Sequence, residues 1–212
     1  MAGNYHKIEN IILKLNQADA LRHKIIIVGG TVPYLVSKKE SNREHSDIDI
    51  IVRQENMSFV REYLKREHLP IVDSFSLPYN KRHIDYGIDA VIDGITVNFA
   101  PYEIVGVTMV QRNFLTRQSS GIDALATVLM NNVGMDNIFR ATSINGTVIH
   151  TYSLEMVKIM KEKSKKKKDA INIKVIDDFG YDEKSYSVLK EQLKDMKFKI
   201  EFRNWLLRYI FR

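Results

Sequence analysis

Residues 28–52, VGGTVPYLVSKKESNREHSDIDIIV, carry the richest chemistry in the chain. Gly29 and Gly30 end the β-branched run Ile25, Ile26, Ile27, Val28, and a helical segment opens at about Thr31 with Pro33 in its first turn. A strand that ends in glycines and turns into a helix lets backbone N–H groups approach a phosphate closely, and the helix dipole favours the anion. Asp47-Ile48-Asp49 follows, running into Ile50, Ile51 and Val52. Alternate strand residues share a face, so the two carboxylates project together and can hold a divalent metal. Two metals about 3.5–4 Å apart stabilise both oxygens of an in-line phosphoryl displacement. Alone, Asp-Ile-Asp suits the wet face of an edge strand equally well; with Gly-Gly and a helix-length spacer it reads as a site. Arg43 and Ser46 precede the carboxylates and read either as phosphate contacts or as solvated loop residues. His45 reads as a surface histidine.

The elements that must position these groups follow from periodicity. Apolar residues at Ile8, Ile11, Ile12 and Leu15 predict a helix over 8–21, and 24–28 a buried strand. Residues 47–52 alternate as a strand, and 58–68 form a helix with Phe59, Tyr63 and Leu64 on one side. Asp93-Gly94 and Asn145-Gly146 suit type I′ turns, which predicts hairpins of 88–92 with 95–100 and of 138–144 with 147–150. A two-residue loop at Asp93-Gly94 places Asp89 opposite Asn98 on one face. Residues 121–133 read as a helix. Ser153 is a helix N-cap, and the chain beyond it reads as helical through the lysine run, around 186–196, and at the C-terminus, where Phe198, Phe202, Trp205, Leu206, Tyr209 and Ile210 follow helical spacing. The expectation is an α/β (α+β) fold: a mixed-sheet core over 1–150, then a helical C-terminal region over 151–212.

The segment resembles the polymerase β-like nucleotidyltransferase superfamily, whose signature is hydrophobic-Gly-Gly/Ser, a spacer, then Asp-hydrophobic-Asp-hydrophobic: here Val28-Gly29-Gly30 and Asp47-Ile48-Asp49-Ile50. The resemblance continues through the hairpin strand 94–101, GITVNFAP, then Ser153-Leu154-Glu155 and Lys168-Asp169. The arrangement is similar to small antibiotic nucleotidyltransferases of lincosamide type and to nucleotidyltransferase toxins of abortive-infection type. It implies Mg²⁺ or Mn²⁺ on Asp47 and Asp49, an NTP on Gly29, Gly30 and Thr31, a triphosphate contact from Lys168, and Asp169 as a structural partner. The acceptor it implies is a small hydroxylated compound, a protein hydroxyl, or a tRNA end. There are two departures. Sixteen residues separate Gly30 from Asp47, a long spacer. The family's third carboxylate, on a neighbouring strand, falls at Asn98, and an amide cannot take a proton at neutral pH. Asp89 reads either as its substitute across the hairpin or as a solvent-facing strand residue. The rival function is a catalytically inactive nucleotide- or RNA-binding module on the same fold.

Composition narrows the alternatives. Of 212 residues 44% are hydrophobic, so a core needs no disulfide, and the absence of cysteine excludes thiolate metal sites and thiol nucleophiles. No apolar run reaches the ~20 residues of a membrane helix, nor do the first residues form a signal-peptide segment, so the expected location is cytoplasmic. Residues 158–168 hold seven lysines and one glutamate, an excess equal to the whole net charge of +6. Such a run is a solvated helix face or an anion site for phosphate or RNA. The oligomeric state is not legible.

Overall fold

The computed structural model describes residues 4–39, 44–79, 82–116, 123–132, 134–164, 166 and 169–203. Arg43, Lys168 and the segment 204–212 lie outside them. Helix α1 (Tyr5–Gln17) buries Ile8, Ile11, Ile12 and Leu15, the stripe expected from their spacing. Strand β1 (Ile25–Val28) leads through a 3₁₀ turn (Gly29–Thr31) into α2 (Val32–Ser37), and β2 (Asp47–Arg53) precedes α3 (Met57–Arg66). On α3 the buried residues are Met57, Val60, Tyr63 and Leu64; Phe59 stays at the rim beneath the Lys24 ammonium, 4.6 Å from its ring centre.

Strands β3 (Ile71–Tyr79), β4 (Arg82–Ile92), β5 (Ile95–Val105), β6 (Thr108–Thr116) and β7 (Asp123–Asn131) follow. After them come the short α4 (Met135–Ile138) and the hairpin β8 (Phe139–Ile144) and β9 (Thr147–Tyr152). Both hairpins have the expected register, with Asp89 opposite Asn98 and Ile144 opposite Thr147. The sheet runs β10-β7-β6-β5-β2-β1-β9-β8, with β4 on the first half of β5 and β3 on β4. It is mixed: β2–β5 and β1–β9 are parallel and the other pairs antiparallel. Helices α6 (Asp169–Phe179) and α7 (Glu183–Gln192) both pack on α5 (Leu154–Ser164), and α5 and α6 also on α2. Ser153 caps α5, its Oγ accepting from Met156 N–H at 3.1 Å.

Two expectations are corrected. Residues 121–133 are not a helix: 123–131 form β7, inserted between β6 and β10. Ala, Leu and Met favour a helix locally, but a nine-residue ladder with β6 and a second with β10 override that preference. The described part of the supposed C-terminal helix is β10 (Lys197–Arg203), a strand returning to the sheet. Phe198 and Ile200 alternate there at a period of two and stay half exposed. Among the described residues no helix is long and apolar enough to cross a membrane.

Candidate active site

Strand β2 lies between β1 and β5, so its carboxylates are not on a sheet edge. Ile48 and Ile50 point into the core with Val97, Phe99, Ile88 and Ala90, all fully buried. The alternation leaves Asp47 and Asp49 on the opposite face, Asp47 exposed and Asp49 half-buried. Register extends this face sideways. Val28, Asp49, Asn98, Asp89 and Asp73 form one rung across β1, β2, β5, β4 and β3. Asp47 stands opposite Thr96, one step along.

The Gly-Gly turn closes on this rung. Gly29 has φ +75°, and a Cβ on it would overlap Asp49 Oδ2 and stand 3.0 Å from Asp49 Cγ. Backbone conformation and close approach therefore both require glycine. Gly30 has the Asn172 side chain of α6 on its other side, with Nδ2 3.3 Å from where a Cβ would sit. Thr31 is buried, and its Oγ1 has no hydrogen-bond partner among the described residues.

Asp89 and Asn98 meet directly: Asn98 Nδ2 donates to Asp89 Oδ1. Burial, aided by the negative charges of Asp73 and Asp47, raises the Asp89 carboxyl above the ordinary aspartate range, while the bond from Asn98 works against that rise. A carboxylate with a raised pKa, held by a neutral donor, suits proton abstraction. Among the described residues no three His, Asp or Glu side chains are close enough to hold a metal by themselves. A Mg²⁺ site needs no such cage, since the ion is held by one or two carboxylates plus substrate phosphates and water. Two oxygen-donor carboxylates beside the Gly29-Gly30 turn fit that pattern.

The approach to β2 is fixed by a contact that no motif marks. Asn4 brackets His45, its Nδ2 donating to His45 C=O at 2.7 Å and its Oδ1 accepting from His45 N–H at 3.0 Å. His45 is buried, not a surface residue, with its ring edge-on to Tyr34. Ser46 is exposed, and its Oγ donates to Asp47 Oδ1 at 3.1 Å. Asp169 is buried at the start of α6, accepting from Ser164 Oγ and pairing with Lys161 Nζ at 3.1 Å. Three of the run's seven lysines are engaged internally: Lys158 pairs with Asp177 beneath the Tyr181 ring, Lys161 with Asp169, and Lys163 donates to Leu193 C=O.

No protein-family model matches the sequence, and no curated protein matches it significantly. Solved structures do. The antibiotic-resistance factor ANT(2'')-Ia, in solution, has a TM-score of 0.55 at 13% identity, over 89% of this chain and 92% of its own. The same factor in complex with adenylyl-2''-tobramycin gives 0.55 at 13% identity, over 89% and 97%. The lincosamide antibiotic adenylyltransferase LnuA, lincomycin-bound, gives 0.52 at 16% identity, over 82% and 98%. With a mixed sheet that sets Gly29 against Asp49, the chain shares the fold of these proteins.

Proposed function

We propose that the protein is a metal-dependent nucleotidyltransferase that moves a nucleoside monophosphate from an NTP to a hydroxyl of a small acceptor, releasing pyrophosphate. The observation that carries this reading is the contact of the Asp49 carboxylate with Gly29, which makes the carboxylate pair and the phosphate-binding turn one site. Gly29, Gly30 and Thr31 hold the triphosphate, with Arg43, Ser46 and Lys168 as further phosphate contacts. Asp47 and Asp49 would hold Mg²⁺ or Mn²⁺, which when bound supplies charge neutralisation at the phosphates. Asp89, kept in place by Asn98, takes the proton of the acceptor hydroxyl as its oxygen attacks the α-phosphorus and the bond to pyrophosphate breaks. The residues proposed for the transfer chemistry, Asp47, Asp49 and Asp89, all fall within 1–150.

A small acceptor is supported by what two structurally similar proteins hold, adenylyl-2''-tobramycin in one and lincomycin in the other. It is also supported by the pairing of Lys158 with Asp177 and of Lys161 with Asp169, which compensates two of the seven charges in the run. The competing reading, an inactive nucleotide- or RNA-binding module, is favoured by Asn98 alone.

The test incubates the protein with each of the four labelled NTPs, Mg²⁺ or Mn²⁺, and three acceptor pools: hydroxylated antibiotics, total tRNA and cell extract. Label moving to a small molecule, only with metal, is the expected result. Label on tRNA would overturn the choice of acceptor. Tight NTP binding without turnover in any pool would establish the binding module.

A further inference from the structure

Asn172 stands across the glycine turn from the carboxylates, and no sequence motif marks it. It sits one helical turn after Asp169, on the same face of α6, where α6 packs against α2. The residue is 1% exposed, its Nδ2 faces Gly30, and its Oδ1 has no hydrogen-bond partner among the described residues. Next to Gly30 in the chain, the Thr31 hydroxyl, on a residue 4% exposed, is equally unpartnered among the described residues. Buried polar groups are almost always hydrogen-bonded, so two orphans around one tight turn mark a place where a partner arrives from outside. The Asp169 carboxylate, one turn earlier, is already met by Ser164 and Lys161, so its charge is compensated.

We propose that Asn172 is a phosphate-binding residue, a reading that rests on Gly29-Gly30 being the triphosphate turn. Its amide N–H and the Thr31 hydroxyl donate to oxygens of the phosphate chain, while its amide oxygen accepts from a water on that chain. Helix α6 thereby becomes the wall of the site opposite β2. The nucleotide bridges the sheet and the helical region, tightening α6 on α2 when it binds.

The probe is Mg²⁺-tripolyphosphate, which tests the phosphate site without a base. Its binding is measured by calorimetry to wild type, Asn172→Ala and Asn172→Asp, with hydrogen exchange over α6 as a second readout. Wild type is expected to bind and to slow exchange in α6. Asn172→Ala should bind about 10–100-fold more weakly, as for loss of a hydrogen bond to a charged group, and Asn172→Asp more weakly still, since its carboxylate faces the phosphates. Asn172→Asp conserves shape, so it carries the test if the alanine variant does not fold. Wild-type binding with unchanged affinity in a folded variant overturns the inference and leaves the glycine turn in place. A wild type that binds no tripolyphosphate overturns the assignment of the turn, and the inference with it.

Discussion

Exchanging Asp89 and Asn98 between their two strands tests the chemistry of the rung. Asp89→Asn removes the carboxylate but keeps the shape, so turnover should fall 10²–10⁴-fold, as for loss of a general base, or about 3–5 kcal/mol in barrier height. Nucleotide affinity should change little, because Asp47, Asp49 and the glycine turn are untouched. Asn98→Asp alone should also harm the enzyme. It removes the donor that holds Asp89 and sets a second carboxylate about 5 Å away across the strands, a repulsion near 3 kcal/mol at an effective dielectric of about 20. That pushes the first protonation of the pair up and moves the acidic limb of the rate profile to higher pH. The double variant reverses the donor and acceptor and should recover much of the activity lost in Asp89→Asn. The assay is single-turnover transfer of labelled NMP from pH 5 to 9, with nucleotide affinity measured in parallel. In wild type the rate rises with pH through the Asp89 pKa, which burial holds above that of an ordinary aspartate. Full activity in Asp89→Asn, or a double variant no better than the single one, would refute the assignment of Asp89 as the base.

Gly29→Ala meets both a left-handed backbone, worth about 1–2 kcal/mol, and the Asp49 carboxylate, so it should lower the melting temperature and weaken Mg²⁺-NTP binding at least about tenfold. Retained affinity in a titration would remove the glycine turn from the site. Asp47→Ala and Asp49→Ala together should abolish metal-dependent nucleotide binding with the fold intact, since neither side chain is part of the core; circular dichroism checks the fold, and wild-type affinity for Mg²⁺-NTP would contradict the metal assignment. Asp169→Asn should melt below wild type at pH 7. Burial alone would raise that carboxyl, but bonds from Ser164 and Lys161 hold it lower than usual, so its stabilisation is present above the unfolded pKa of about 3.9 and disappears on acidification. The melting gap should close below about pH 4; a gap that persists there would mean that Asp169 acts through packing.

The site residues nearest one another in sequence were the legible ones. Gly29-Gly30 and Asp47-Ile48-Asp49 carry their own geometry, a turn and a period of two, and Asp93-Gly94 fixes a hairpin register without help from elsewhere. Strands β3, β6, β7 and β10 were not legible, because their sequences do not specify a strand locally. The segment 123–131, DALATVLMN, has the composition of a helix, and only its two partner strands make it β. Residues 197–203 alternate in type, but Phe198 and Phe202 also stand four apart, so helical and extended spacings coincide. Asn4 and Asn172 carry no signal in the sequence, and His45 reads there as a surface residue, for a related reason: their contacts lie on other elements, across 41 residues for the Asn4–His45 clamp and from α6 to Gly30 for Asn172.

Asn98, which looks like damage when read against the superfamily pattern, has a different meaning once the rung is known. With a carboxylate at that position, Asp49, residue 98, Asp89 and Asp73 would set four acids on consecutive strands of one sheet face. Neighbouring pairs would stand about 4.5–5.5 Å apart, and like charges directly opposite destabilise a sheet. An amide breaks that row. It separates Asp49 from Asp89 and donates a hydrogen bond that holds Asp89 in place. Burial, and after it the charges of Asp73 on the outermost strand and of Asp47, raise the Asp89 pKa. The amide at 98 and the acid at 89 are therefore one arrangement: in the proposed function the acid across the hairpin does the work of a carboxylate at 98, and the amide is the donor that holds it.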